Sequence, residues 1–197
     1  LTDMLITMTD RGPDSAGIAI YGSEAPDNAK LTVQSDTPET DFLDLKSELA
    51  KAIQGSLKIR VQSTHAVLEI QADQLSKART TLKSIRPNIR VMSTGESLEI
   101  YKEVGLPKDV ASRFNLKNMS GSHGIGHTRM ATESAVTTMG AHPFNTGIDQ
   151  CLVHNGSLSN HNSLRRKLRR DGVHIETEMI PRWAPPTLPG KCNKVAR

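Results

Sequence analysis

Three short motifs, in a fixed order, gather side chains that could do chemistry. The first is Arg11-Gly12-Pro13-Asp14-Ser15-Ala16-Gly17. The second is Gly126-His127-Thr128-Arg129-Met130-Ala131-Thr132, followed by Gly140-Ala141-His142-Pro143-Phe144. The third is Leu152-Val153-His154-Asn155-Gly156-Ser157-Leu158-Ser159-Asn160. Together they offer a guanidinium, hydroxyls, carboxamides and imidazoles, the groups that grip anions or hold metals. Each has a structural reading when taken alone. Arg129 reads as an ion-pair partner, Asn155-Gly156 as a hairpin turn, and Arg11 to Gly17 as a turn built on Gly-Pro-Asp. The spacing of His127, His142 and His154 fits no compact ligand set, so no metal is expected. Cys151 lies in an apolar run and is expected in the core.

The elements that must position these groups follow from hydrophobic periodicity. Residues 1–9 read as the end of a helix, and residues 16–21, small and branched, as a buried strand. Residues 30–35 predict a second strand. Residues 41–54 carry apolar side chains at helical spacing, with Asp41 as the expected N-cap. Residues 56–93 predict a strand, a helix over 73–85 that closes at Arg86-Pro87, and a strand from Ile89. Residues 96–104 fit strand or helix, and residues 110–114 a short helix. A glycine-rich strand over 123–129 is expected to let a ligand approach the backbone beside Arg129. Residues 150–154 read as a buried strand and 160–171 as a helix with a basic face.

The bulk properties set limits. With 197 residues, 36% hydrophobic and 23% charged, the chain suits one mid-sized globular domain. Aromatics make up only 3%, so aliphatic residues and methionine must fill the core. A net charge of +4 and a pI near 9.2 do not demand nucleic acid. The basic run Arg165-Arg166-Lys167, with Arg169 and Arg170, reads as a solvated helix face. Two cysteines give no disulfide framework, and a reducing, cytoplasmic setting is the default. No apolar stretch approaches the roughly 18–20 residues of a membrane span, and residues 1–10 lack the basic start of a signal peptide.

Three motifs in this order resemble the glutaminase domain of class-II, N-terminal-nucleophile glutamine amidotransferases, a family that includes glucosamine-6-phosphate synthase and glutamate synthase. The inserted segment and motif wording look most like the GlxB-type subunit of a glutamate-synthase-like complex, similar to methylamine-glutamate synthase. The resemblance covers residues 1–178 and implies an α+β fold: a four-layer α/β/β/α sandwich. It implies hydrolysis of L-glutamine, with ammonia passed to a partner synthase subunit and no metal or organic cofactor. By the same resemblance, Arg129 and Thr132 bind the substrate α-carboxylate, a task suited to a planar two-donor fork. Asn155 and Gly156 form the oxyanion hole. Arg11, Asp14 and His142 give structural support.

Two family features have no counterpart here. The family chain opens with Cys-Gly-Ile, whose free amine activates the cysteine thiol; this sequence opens at Leu1, so the nucleophile and first strand are expected to be missing. After Glu178 the family continues with a run like Asn-Asp-Thr-Glu-Val, whose Asp holds the substrate amine. Here Met179-Ile180-Pro181-Arg182-Trp183 follows. Reverse translation permits a one-base deletion at this point, so residues 179–197 are expected to be a loosely ordered tail outside the family. The expected outcome is an inactive domain. The rivals are a pseudo-amidotransferase that docks to a synthase and regulates it, a nucleic-acid-binding module, and a broken or mis-started gene.

Overall fold

In the computed structural model, residues 1–23, 27–131 and 135–154 are described, together with residues 163, 166, 167 and 170. In chain order the regular elements are α1 (Thr2–Thr7), β1 (Ser15–Tyr21), β2 (Asn28–Gln34), α2 (Pro38–Asp41), α3 (Leu45–Ile53), β3 (Leu57–Gln62) and β4 (His65–Gln71). Then follow α4 (Leu75–Ile85), β5 (Arg90–Gly95), β6 (Leu98–Val104), α5 (Pro107–Arg113), β7 (His123–Arg129), β8 (Phe144–Gly147) and β9 (Gln150–Leu152). The first sheet has the order β6-β1-β7 and the second β3-β4-β2-β5, while β8 and β9 form a hairpin. Every strand pair within these sheets is antiparallel. The fold class is α+β, as expected. Among the described residues no helix is long and apolar enough to cross a membrane.

Helix α3 places Leu45, Leu49 and Ile53 on one stripe, four residues apart, and α4 adds Ala78 and Leu82. These side chains pack on Leu31 and Val33 of β2, Leu68 and Ile70 of β4, and Leu57 of β3. A second cluster joins Ala16 and Ile18 of β1 and Tyr101 of β6 to Leu5 of α1, Val110 of α5, Phe114 and, from the other sheet, Val67. The face of β1 that carries Ala16 and Ile18 packs in this cluster. The opposite face carries Gly17 and Ala19, and Ala19 joins a third cluster with Met92, Leu98 and Ile100, against which Met139 and Cys151 pack.

The two sheets are joined where β5 turns into β6. The Ser93 hydroxyl donates to the Leu98 carbonyl (3.3 Å) and accepts from the Ile100 N–H (3.1 Å). One buried side chain thus replaces ladder hydrogen bonds across the corner. A buried charge network also crosses between the sheets. Glu99 of β6 meets Lys30 of β2 (3.1 Å) and Arg60 of β3 (2.6 Å), and its Oε2 accepts from the Tyr101 hydroxyl (2.6 Å).

Several expectations need correction. Asp41 is not an N-cap. It ends α2, and its buried carboxylate accepts the hydroxyls of Ser35 and Thr37. The expected helix over 41–54 is broken at Asp44, whose φ of 55° lies in the left-handed region. Residues 56–93 hold an additional strand, β4, reached by a tight turn at Ser63. Residues 96–104 resolve as a strand.

The glycines of β7 face α1. A Cβ at Gly126 would stand 3.1 Å from Leu5 Cδ1, and one at Gly124 would stand 3.2 Å from Leu1 Cδ2. They make room for the helix on the face opposite Arg129. The strand expected over 150–154 spans only Gln150–Leu152, and Cys151 is half-buried. Ser163, Arg166, Lys167 and Arg170 are helical and exposed. The rest of the 160–171 helix, the 179–197 tail, Thr132, Asn155 and Gly156 lie outside the described residues.

Candidate active site

The first motif holds the exit of β7. A Cβ at Gly12 would come within 2.5 Å of the Arg129 backbone nitrogen, so only glycine lets the turn cross the strand end there. The Asp14 N–H donates to the Arg129 carbonyl (3.1 Å), and Asp14 Oδ2 accepts the Ala131 N–H (2.7 Å). Asp14 therefore braces the chain on both sides of Met130. Arg11 lies exposed at the end of the turn after α1. Arg129 itself is 7% exposed and pairs in register with the buried Ser15.

Alternation along the strands puts Arg129 and His127 of β7 on the same face as Gly17 of β1 and Lys102 of β6. The segment 137–143 lies across this face. Gly17 provides its seat, because a Cβ there would run into the His142 carbonyl and the Lys102 side chain. Lys102, 3% exposed, sends its ammonium to the carbonyls of Ala141 (2.9 Å), Met139 (3.3 Å) and Pro143 (3.4 Å). The same Nζ stands 4.7 Å from the centroid of Phe144, a cation–π distance. Burial pulls the Lys102 pKa down to about 7.

His142 packs between His127 (4.5 Å between centroids) and Phe144 (4.6 Å). Among the described residues, neither of its ring nitrogens has a hydrogen-bond partner. Its pKa is pushed down to about 3, first by burial and then by His127, Lys102, Arg129 and His154. His127 is lowered by burial and by Arg129. Two neutral imidazoles thus stand beside a guanidinium and an ammonium.

The β8–β9 hairpin leads toward the third motif, and two side chains pin it. Asp149 crosses to the β5–β6 turn, where its carboxylate accepts the N–H groups of Glu96 (2.7 Å), Ser97 (2.9 Å) and Leu98 (2.9 Å). Burial works to raise its pKa, but these N–H donors and the Ser97 hydroxyl hold it below the usual carboxylate range. Tyr21 donates to the Asp149 carbonyl (3.3 Å), and its hydroxyl lies 3.5 Å from Cys151 Sγ. Burial raises the Cys151 thiol. A raised thiol makes a poor nucleophile.

Asp149→Asn is expected to lower stability by about 1–3 kcal/mol, the usual cost of weakening a capped turn of this kind. A depressed carboxyl stabilises above its ordinary value of about 3.9 and loses that contribution as pH falls through the folded value. The gap in melting temperature between the parent and Asp149→Asn should therefore be full near neutrality and close in acid. A gap that is constant down to the lowest pH would contradict the capping role.

Of the residues expected at the site, Arg129, Asp14 and His142 are brought together, and Arg11 stands apart at the surface. Sequence reasoning missed Lys102 and Asp149. No local signal marks either, because each gains its partners from a segment far along the chain. Among the described residues no three His, Cys, Asp or Glu side chains group as metal ligands.

No family model matches the chain. Over 87 residues, 43% of its length, it is 39% identical to a glutamine–fructose-6-phosphate aminotransferase of Methanosarcina mazei, of which this is 14%. That likeness, the order of the motifs and the relatives that follow support a class-II glutamine amidotransferase domain. Over 178 residues, 90% of the chain, it is 65% identical to the glutamine amidotransferase-like protein GlxB of Rhizobium meliloti. Over 192 residues it is 31% identical to a putative glutamine amidotransferase of Methanothermobacter thermautotrophicus. The chain spans 59% and 61% of the length of these two relatives.

Proposed function

We propose that the face of β1, β6 and β7 carrying Arg129 binds L-glutamine. Arg129 grips the α-carboxylate and Thr132 adds a hydroxyl to it. The Asn155 amide and the Gly156 N–H form the oxyanion hole, and Asp14 and His142 hold the surroundings in place. The observation that carries this reading is the meeting of the first two motifs around Arg129. The His127 and His142 rings of the second lie 4.5 Å apart, a Cβ on Gly140 would stand 3.0 Å from Arg129 Nη1, and the Asp14 carboxylate of the first braces the chain just beyond Arg129. A cluster rich in cationic and neutral donors suits the carboxylate end of an amino acid.

The reaction this site would serve is hydrolysis of glutamine to glutamate, with ammonia passed to a partner synthase subunit of a glutamate-synthase-like complex in the cytoplasm. The architecture is the four-layer sandwich of the N-terminal-nucleophile hydrolases, with residues 1–178 inside it. Two facing antiparallel sheets with α3 and α4 on one outer side support this. Cys151, with its raised thiol on Tyr21, is no candidate nucleophile. The chain is expected to bind glutamine without hydrolysing it.

Calorimetric titration of the purified chain tests the reading. L-glutamine is expected to bind saturably, while L-glutaminamide, which lacks the α-carboxylate, is not. No binding of L-glutamine, or equal binding of both, overturns it.

A further inference from the structure

The side chain that sequence reasoning least anticipated is Lys102. A lysine on a strand ordinarily extends into water, and burying its ammonium is costly unless its donors are satisfied. Here the three donors of the ammonium meet three backbone carbonyls, at residues 139, 141 and 143, and an aromatic ring faces the same nitrogen. The carbonyls at 139 and 141 flank Gly140. A Cβ at Gly140 would stand 3.0 Å from Arg129 Nη1, so this backbone forms the wall behind the guanidinium. Gly140 and Ala141 are turned into that position by hydrogen bonds from their N–H groups to the Thr137 carbonyl, both 3.1 Å.

We propose that Lys102 is a positioning residue for the amino-acid site: its ammonium clamps the segment 139–143 so that Gly140 backs Arg129 and His142 lies against His127. The inference rests on the reading of this face as a glutamine site and names a residue that this reading needs. Lys102 touches no substrate. It acts by holding the wall that fixes the direction of the Arg129 fork, and a fork must be aimed to bind a carboxylate through two donors. Gly17 is the complement of this clamp, since only an absent side chain on β1 lets the segment lie beside Lys102.

The charged and titratable groups on the Lys102 face are Arg129 and His127 of β7 and His142 of the clamped segment. His65 of β4 packs against Tyr101 on the opposite face of β6, where Glu103 also lies and reaches Thr138 of the clamped segment. Burial holds His65, His127 and His142 below the ordinary histidine value. Above neutrality these rings stay neutral, and Lys102 is the member of the group left to change charge. A lysine lowered toward about 7 is charged below that pH and neutral above it.

The experiment compares the unsubstituted chain with Lys102→Met, which keeps length and loses charge. L-glutamine affinity is measured by calorimetry across neutral to mildly alkaline pH. Amide hydrogen exchange is followed at Gly140 and Ala141. Lys102→Met is expected to bind glutamine about 10-fold to 100-fold more weakly near neutrality, the effect of losing charge-assisted hydrogen bonds, and to exchange faster at both amides. The unsubstituted chain should lose affinity as pH rises above about 7, and Lys102→Met should not. The ligand's own amine titrates alike for both. Unaltered affinity and exchange in Lys102→Met overturn this inference alone. Absence of L-glutamine binding by the unsubstituted chain overturns the functional reading and this inference together. If Lys102→Met fails to fold, Lys102→Gln takes its place, and unaltered glutamine affinity and amide exchange in that variant overturn the proposal.

Discussion

Replacing Arg129 with alanine is expected to weaken L-glutamine binding by about 100-fold, the effect of losing one well-aimed charge-assisted pair of about 3 kcal/mol. The side chain is nearly buried, and backbone contacts hold the chain on either side of it. Asp14 braces the strand exit, Gly12 crosses it, and Gly140 stands behind the guanidinium. A guanidinium held in this way gives up little entropy when a carboxylate arrives. Arg129→Lys keeps the charge and loses the fork, so its affinity should fall between the two. The backbone contacts at residue 129 survive both substitutions, and the fold should persist by circular dichroism. Calorimetry on the three chains is the measurement. If Arg129→Ala binds glutamine within about threefold of the parent, a factor worth less than 1 kcal/mol, Arg129 is a structural ion-pair residue and the site lies elsewhere.

The largest expected effect on stability is at Glu99. Glu99→Ala should cost about 3–5 kcal/mol, the penalty for leaving a buried charge without its partner. Typical domains have about 5–15 kcal/mol in total, so this is a large share. The orphan is Lys30, whose side chain is 7% exposed, whereas Arg60 is 47% exposed and can turn to water. The Tyr101 hydroxyl also loses its acceptor.

Lys30→Met in the Glu99→Ala background removes the orphan and should recover much of the loss in a urea titration. A double variant no better than Glu99→Ala would show that the cost lies elsewhere. Burial works to raise the Glu99 pKa, but Tyr101, Arg60 and Lys30 hold it below the ordinary carboxyl value. Its contribution is therefore in place at neutral pH and is lost as acid protonates it. The penalty of Glu99→Ala should shrink accordingly at low pH.

What the sequence disclosed and what it hid follow physical lines. Strands β1, β2 and β7 and helix α4 were legible because period and bounding residues agree. Strand β4 was not. Its run His65-Ala66-Val67-Leu68 is buried on both faces and lacks alternation, and its turn at Ser63 carries no Asn-Gly signal. The apolar spacing of α2 and α3 runs through their break, so nothing local announced Asp44. The motifs pointed to Arg129, Asp14 and His142 because residue type and order carry such a signal. Lys102, Glu99 and Asp149 read as ordinary surface charges on a strand or turn. Their burial is decided by partners some forty to fifty residues away along the chain, and no window of sequence holds both halves.

Strand β6 has two sides with different obligations. Glu99, Tyr101 and Glu103 reach back to Lys30, Arg60 and Thr64, while Lys102 reaches forward to the loop behind Arg129, which Glu103 also meets through Thr138. Successive side chains of a strand share one rigid ribbon, so a tilt that repacks Tyr101 also swings its neighbour Lys102. The ribbon works like a seesaw plank: weight placed on the rear sheet lifts or lowers the front. A substitution at Arg60 or Thr64, remote from any ligand, would then register as altered glutamine affinity, and a scan for affinity variants would map the back of this domain as well as its pocket.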